Sequence, residues 1–166
     1  MKHDATLLER FEGWFVAPID KLKELPEGDG AFIAMSVGLF LCERFYRTKT
    51  STHEGQGGDL AFRAEAAADL GVSPDTFEVF WKVFRHGIQH QGMPKEISLQ
   101  NPERHFRWDI TSHADGTPKI IQCDATHFMV EVNPWKFCDS MIQKFRDEPE
   151  ILDKAESHAF GYSRSH

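Results

Sequence analysis

The chain has 166 residues, enough for one domain with its own core, and its 40% hydrophobic and 27% charged residues are ordinary for a globular protein. A net charge of −7 works against a non-specific nucleic-acid binder, because phosphate binding ordinarily shows as a basic surface. The longest apolar run, Ala31 to Cys42, is 12 residues, against about 20 for a membrane-spanning helix, so a buried helix is expected there and no membrane partner.

The first ten residues are charged and hold no apolar segment with a cleavage site, so no secretory signal is read there. Cys42, Cys123 and Cys138 are an odd number, widely spaced and without a CxxC pair. That points to a reducing, cytoplasmic setting and away from a disulfide frame. Fourteen Phe and four Trp against two Tyr predict a core built from aromatic rings.

Asp4 reads as an N-cap, followed at helical spacing by Leu7, Leu8, Phe11, Trp14 and Phe15, with Pro18 placed to interrupt the helix. Leu25 to Gly30 is a turn by its Pro and Gly content. The next helix, Ala31 to about Thr48, is apolar on all sides until Cys42 and charged at Glu43, Arg44 and Arg47. A central helix whose far end emerges at a surface has that pattern. Residues 50–58 form a polar, Gly-rich loop, and Asp59 is placed to cap a short Ala-rich helix stopped by Gly71. Ser73-Pro74-Asp75 is a strong helix start, joining an N-cap serine, a first-turn proline and an acid at the positive end of the dipole. The helix it starts sets Phe77, Phe80, Trp81, Phe84 and Ile88 on one stripe, with Arg85 at the flank and His86 near the opposite side.

After Pro94 the period becomes two: Phe106, Trp108 and Ile110 alternate with Arg107, Asp109 and Thr111. Asp115-Gly116 is a turn, Lys119 to Cys123 a return strand, and Phe128 to Val132 a third. Asn133-Pro134 starts the last main helix, with Phe137, Met141 and Phe145 on one face up to Pro149. The predicted fold is mainly α: a single domain over residues 1–155, a bundle of four to five helices with a small β-hairpin or three-strand insertion at about 105–132 before the last main helix, and a frayed tail at 156–166.

Chemistry concentrates in Arg85-His86-Gly87-Ile88-Gln89-His90, which runs into Gln91-Gly92-Met93-Pro94-Lys95. Histidine moves protons near neutral pH, and arginine grips a phosphate by two parallel hydrogen bonds, so the set suits phosphodiester cleavage without a metal. From Arg85 to Arg107 there are four cations against two acids, whereas residues 1–30 carry four against seven. The motif thus lies in the most basic part of an acidic chain. In an ideal α-helix Arg85 and His90 point about 140° apart, so the helix must loosen after Gly87 or Arg85 must reach round. The plain structural reading is a helix C-terminus carrying cations, which the macrodipole stabilises.

Arg85, His86 and His90 occupy the three specified positions of the HEPN superfamily signature: an arginine, then Asn, Asp or His, three variable residues and a histidine. Phe84, Gly87-Ile88 and the Gln91-to-Lys95 continuation also resemble bacterial members. An all-helical chain with a long apolar second helix and a late helix closed by the motif resembles the family layout over residues 31–95. The resemblance implies a homodimer of helical bundles whose motifs face a shared cleft, RNA cleavage without metal, and a place in toxin–antitoxin or phage-defence systems with an antitoxin or partner protein. It assigns Arg85 and His90 as catalytic and His86 as supporting. A nucleotidyltransferase-partnered subgroup has a tyrosine two residues after the histidine. Gly92 stands there in this chain, so that tyrosine-based regulation does not carry over.

The chemistry argues for two copies on its own terms. Cleavage by the 2′-hydroxyl needs a base for its proton and an acid for the leaving 5′-oxygen; two His90 side chains across a two-fold axis divide that work while both Arg85 residues clamp the phosphate. Glu43 and Arg44 are candidates to line the same cleft, with a solvated helix end as the plainer reading. Lys82 and Lys95 are candidate phosphate contacts, each otherwise an ordinary surface lysine. The alternative function is a non-catalytic domain of the same family that binds a partner protein or nucleotide. Cys123 and His127, with His105 and His113 nearby, form only one loose pair of zinc-type ligands, so no metal and no cofactor is expected. Gly55 to Gly58 lacks the Lys-Ser/Thr that would follow in a phosphate loop.

Overall fold

In the computed structural model, which describes residues 6–52, 59–112 and 114–155, Thr6 opens the first helix with a capping box. Its hydroxyl accepts from the Glu9 N–H while the Glu9 carboxylate accepts from the Thr6 N–H. The expected cap Asp4, the Gly-rich residues 53–58 and the tail 156–166 lie outside the described residues. Helix α1 (Leu7–Phe11) runs through a π turn (Glu12–Val16) into α2 (Ala17–Leu22). Pro18 therefore does not end the helix: the widened turn ahead of it leaves room for a residue with no N–H.

Helix α3 (Ala31–Lys49) is the centre of the core and buries Met35, Leu39, Cys42, Phe45 and Tyr46. It lies along α7 (Pro134–Asp147) so closely that a Cβ on Gly38 would stand 2.8 Å from the Phe137 ring. The Tyr46 hydroxyl donates to Asp69 at 2.6 Å, and Lys144 reaches the same carboxylate oxygen at 2.6 Å, which ties α3, α4 (Asp59–Asp69) and α7 together. One expectation for α3 fails. The helix is not buried on all sides, because Ile33 and Phe40 are 53% and 56% exposed. Ser73 caps α5 (Pro74–Phe80) through the Thr76 N–H, and that helix continues through a second π turn (Trp81–His86) into α6 (Gly87–Gln91). Asn133 caps α7, and a short helix, α8 (Glu150–Ala155), follows Pro149.

The predicted mainly-α bundle with a small insertion is wrong. The chain is mixed α/β, with a four-stranded sheet of β1 (Ile97–Leu99), β2 (Arg104–Ile110), β3 (Lys119–Gln122) and β4 (His127–Val132) in the order β1-β2-β4-β3. β1 was not expected; it pairs antiparallel with β2, Ile97 opposite Phe106 and Leu99 opposite Arg104. β4 runs parallel to β2 and takes the slot between β2 and β3, where a simple meander would have put β3. Two features of the sequence decide this. His-Phe-Met-Val-Glu-Val is the more apolar strand and is buried at Val130 and Val132, whereas Lys-Ile-Ile-Gln carries the polar ends that suit an edge. The loop ahead of β3 is also fastened to the start of α7: the Asn133 N–H donates to Asp115 O, Asn133 Nδ2 to Ser112 O, and Lys136 Nζ to Ala114 O. A Cβ on Gly116 would meet the Lys136 backbone at 2.7 Å, so the loop lies directly against the start of α7.

The inner row of the sheet, Ile97, Leu99, Phe106, Trp108, Ile110, Ile120, Phe128, Val130 and Val132, joins the same core as the helices. Phe32 of α3 meets Trp108 edge to face at 5.9 Å. Among the described residues, no helix is long and apolar enough to cross a membrane.

Candidate functional site at the widened helix

The turn from Trp81 to His86 is wound with one residue more than an α turn, and this sets the site. At α spacing Arg85 would flank the aromatic stripe; the extra residue carries it to the buried side, where it is 8% exposed. The widening also leaves the Val83 carbonyl to accept from the Lys95 N–H at 2.9 Å, so the chain beyond His90 folds back onto the helix. Gly87 permits that return: a Cβ there would stand 2.5 Å from Lys95 N and 2.8 Å from Met93 O and Pro94 Cα. The expected loosening thus lies before Gly87, not after it.

Arg85 spends its guanidinium inside the protein. Nε donates to Glu43 Oε2 at 2.9 Å, Nη2 stands 2.8 Å from the same oxygen in an ion pair, and the group lies 5.6 Å from the Phe40 ring and 5.9 Å from Trp81. Glu43 gives its other oxygen to Arg47 Nε at 2.9 Å. Arg47 passes on to Asp59 at 2.7 Å and lies over Phe62 at 4.3 Å. Arg63 spans Asp59 at 3.5 Å and Glu78 at 2.6 Å, and Lys82 closes the series on Glu78 at 3.1 Å. The series Lys82–Glu78–Arg63–Asp59–Arg47–Glu43–Arg85 crosses α3, α4, α5 and the π turn with four cations and three acids, leaving one positive charge. Arg47 Nη1, Arg63 Nε and Arg85 Nη1 are buried without a hydrogen-bond partner. The Arg47 hydrogen bond holds the Asp59 carboxyl below its usual range in spite of burial.

The His86 ring is half-buried and meets the His90 ring edge to face, with centroids 6.3 Å apart. Burial first, then the charges of Arg63, Lys95 and Arg85 and the neighbouring His90, hold the His86 imidazole below its ordinary 6.5. His86 is uncharged at neutral pH. Because the unfolded chain takes up this proton more readily, stability rises with pH through the window from the lowered folded value up to about 6.5. His86→Gln is expected to flatten the wild-type stability curve below about pH 6.5. Parallel curves for the two proteins in urea titrations would remove His86 as the cause.

Of the residues expected from the sequence, Glu43 and Arg85 are in direct contact, His86 and His90 form the ring pair, and Lys95 lies within the electrostatic reach of His86. His90 stands exposed at the end of α6, so Arg85 and His90 face different surroundings rather than each other. Lys82 is held by Glu78 at the far end of the ion-pair series, and Arg44 is half-buried on α3, one turn from Phe40. Sequence reasoning missed Arg47, Asp59, Arg63 and Glu78. Their signal was legible: Glu43/Arg47, Asp59/Arg63 and Glu78/Lys82 are three acid-before-base pairs at i,i+4, the favoured helical order.

His105 and His127 lie stacked across β2 and β4 at 5.0 Å, each on its own carboxylate, Glu103 and Asp124, both at 3.0 Å. Among the described residues no group of three or more His, Cys, Asp or Glu stands in position to hold a metal ion; His113 lies outside them. No protein-family model, no characterised protein and no solved structure matches this chain.

Proposed function

We propose that the chain is a HEPN-like, metal-independent endoribonuclease that acts as a homodimer in the cytoplasm, with Arg85 and His90 catalytic and His86 supporting. The observation that carries this reading is the union at one helix end of a fixed guanidinium, a histidine kept neutral and a second, exposed histidine. Residues 31–49 and 74–91 are helical, and the motif closes the second of these segments; the four-stranded sheet is no part of the all-helical layout that the resemblance implies. Leu60, next to the Asp59 carboxylate that feels the charge of His86, and Met93, three residues past His90, are 79% and 44% exposed, and such apolar side chains suit cover by a second copy.

In the reaction, the 2′-oxygen of the ribose attacks phosphorus, its proton passes to one His90, and the bond from phosphorus to the 5′-oxygen breaks. The leaving oxygen takes a proton from the His90 of the second copy. Arg85 stabilises the charge that builds on the phosphoryl oxygens, and Glu43 fixes its orientation beforehand. The products carry a 2′,3′-cyclic phosphate and a free 5′-hydroxyl. A toxin or phage-defence role with an antitoxin or other partner protein belongs to the same reading.

Single-stranded RNA incubated with the purified protein in EDTA is expected to yield those ends, and His90→Ala to slow the reaction by about 100-fold or more. Equal cleavage by wild type and His90→Ala would remove the site from consideration. A second reading is favoured by one observation: Arg85 is 8% exposed and committed to Glu43. In that reading the domain is a non-catalytic binder of a partner protein or nucleotide, with Arg85 as a core ion pair. It predicts no cleavage by wild type together with loss of stability in Arg85→Ala.

A further inference from the structure

Phenylalanine is among the side chains most often buried, and ten of the twelve largest fully buried side chains among the described residues are aromatic. Phe40 departs from that pattern. Its ring is 56% exposed on α3, yet it rests against the buried Arg85 guanidinium, with Cζ 5.6 Å from the centroid, and Trp81 flanks the same guanidinium at 5.9 Å. Arg44 lies one helical turn further along the same side of α3. An exposed ring with cations beside it is the arrangement that takes a stacked base and its phosphate from a single strand.

We infer that Phe40 is a stacking platform for one base of single-stranded RNA, backed on its inner side by the Arg85 guanidinium and with Arg44 beside it for the adjoining phosphate. This rests on the endoribonuclease reading and deepens it by naming the substrate as unpaired, since a base within a duplex has no free face to offer. Phe and Arg are also enriched at protein interfaces, and Ile33, seven residues before Phe40, lies on the same face of α3, so a second copy of the chain is the rival occupant that the sedimentation arm of the test separates. The guanidinium against the ring and Arg44 beside it favour an anionic strand. Stacking tolerates any base, so the platform selects for single strands and not for sequence.

The test uses the full chain and a fluorescein-labelled 2′-O-methyl oligoadenylate, which has no attacking hydroxyl, beside an abasic strand of the same length. Phe40→Leu is expected to weaken oligoadenylate binding about tenfold and leave the abasic strand unchanged, while Phe40→Tyr binds as wild type does. Arg44→Gln is expected to lower the slope of log K against log salt by about 0.7. Equal weakening for both strands, unchanged oligoadenylate binding in Phe40→Leu, or a Phe40→Leu effect confined to oligomeric state by sedimentation would each overturn the platform. Base-dependent binding through Phe40 without cleavage of ordinary RNA would retain the platform and sink the nuclease reading. Cleavage with no Phe40 dependence would do the reverse, and absence of binding to either strand would sink both.

Discussion

Arg85→Ala is expected to lower the unfolding free energy by about 3 kcal/mol, the low end of the cost of breaking a buried ion pair. The low end applies because Glu43 keeps Arg47 as a partner at 2.9 Å after the loss. What disappears is the double grip on Glu43 Oε2 at 2.9 and 2.8 Å, together with the packing of the guanidinium between Phe40 and Trp81. For a chain of this size such a loss lowers Tm by roughly 6–12 °C. Urea titration and a thermal scan read it directly. A wild-type midpoint in Arg85→Ala would mean that the guanidinium stands in solvent and that Glu43 does not hold it.

Gly87→Ala decides whether the loop after His90 is pressed onto the helix. In a free helix end, alanine in place of glycine would stabilise by about 1 kcal/mol. Here the added methyl meets three backbone atoms of the returning loop, Lys95 N at 2.5 Å and Met93 O and Pro94 Cα at 2.8 Å, and backbone cannot rotate away as a side chain can. The expected result is the opposite sign, a loss of roughly 2–3 kcal/mol as the loop is pushed off and the Lys95 N–H leaves the Val83 carbonyl. Chemical denaturation reads the sign. A gain in stability would show the loop to be detached.

The helical frame was legible because local signals set it. Ser73-Pro74 and Asn133-Pro134 both cap as their residue types require, and the Phe77–Phe84 stripe is buried as its spacing demands. The sheet was only half legible. Alternation located β2, and the turn at Asp115-Gly116 led to β3 and β4, but the three residues of β1 are too few to show a period, and strand order depends on where the loop 114–118 is fastened to α7, a contact between distant residues. The π turn at Trp81–His86 has no residue signature in the chain, so α spacing placed Arg85 at a flank when it is buried. Phe40 is a second such case: hydrophobicity alone put it in the core, whereas it lies 56% exposed on the outer face of α3 with the Arg85 guanidinium against its ring.

The central claim is that the Arg85 guanidinium and the adjoining histidines act on a phosphodiester without a metal, and Arg85→Lys tests it most directly. Lysine keeps the charge but cannot fork onto Glu43 and a phosphate together. Cleavage of single-stranded RNA in EDTA is measured for wild type and Arg85→Lys at a temperature where circular dichroism shows both folded. The predicted result is EDTA-resistant cleavage by wild type and about 100-fold less by Arg85→Lys. Wild-type rates in Arg85→Lys, or wild-type cleavage abolished by EDTA, would contradict it.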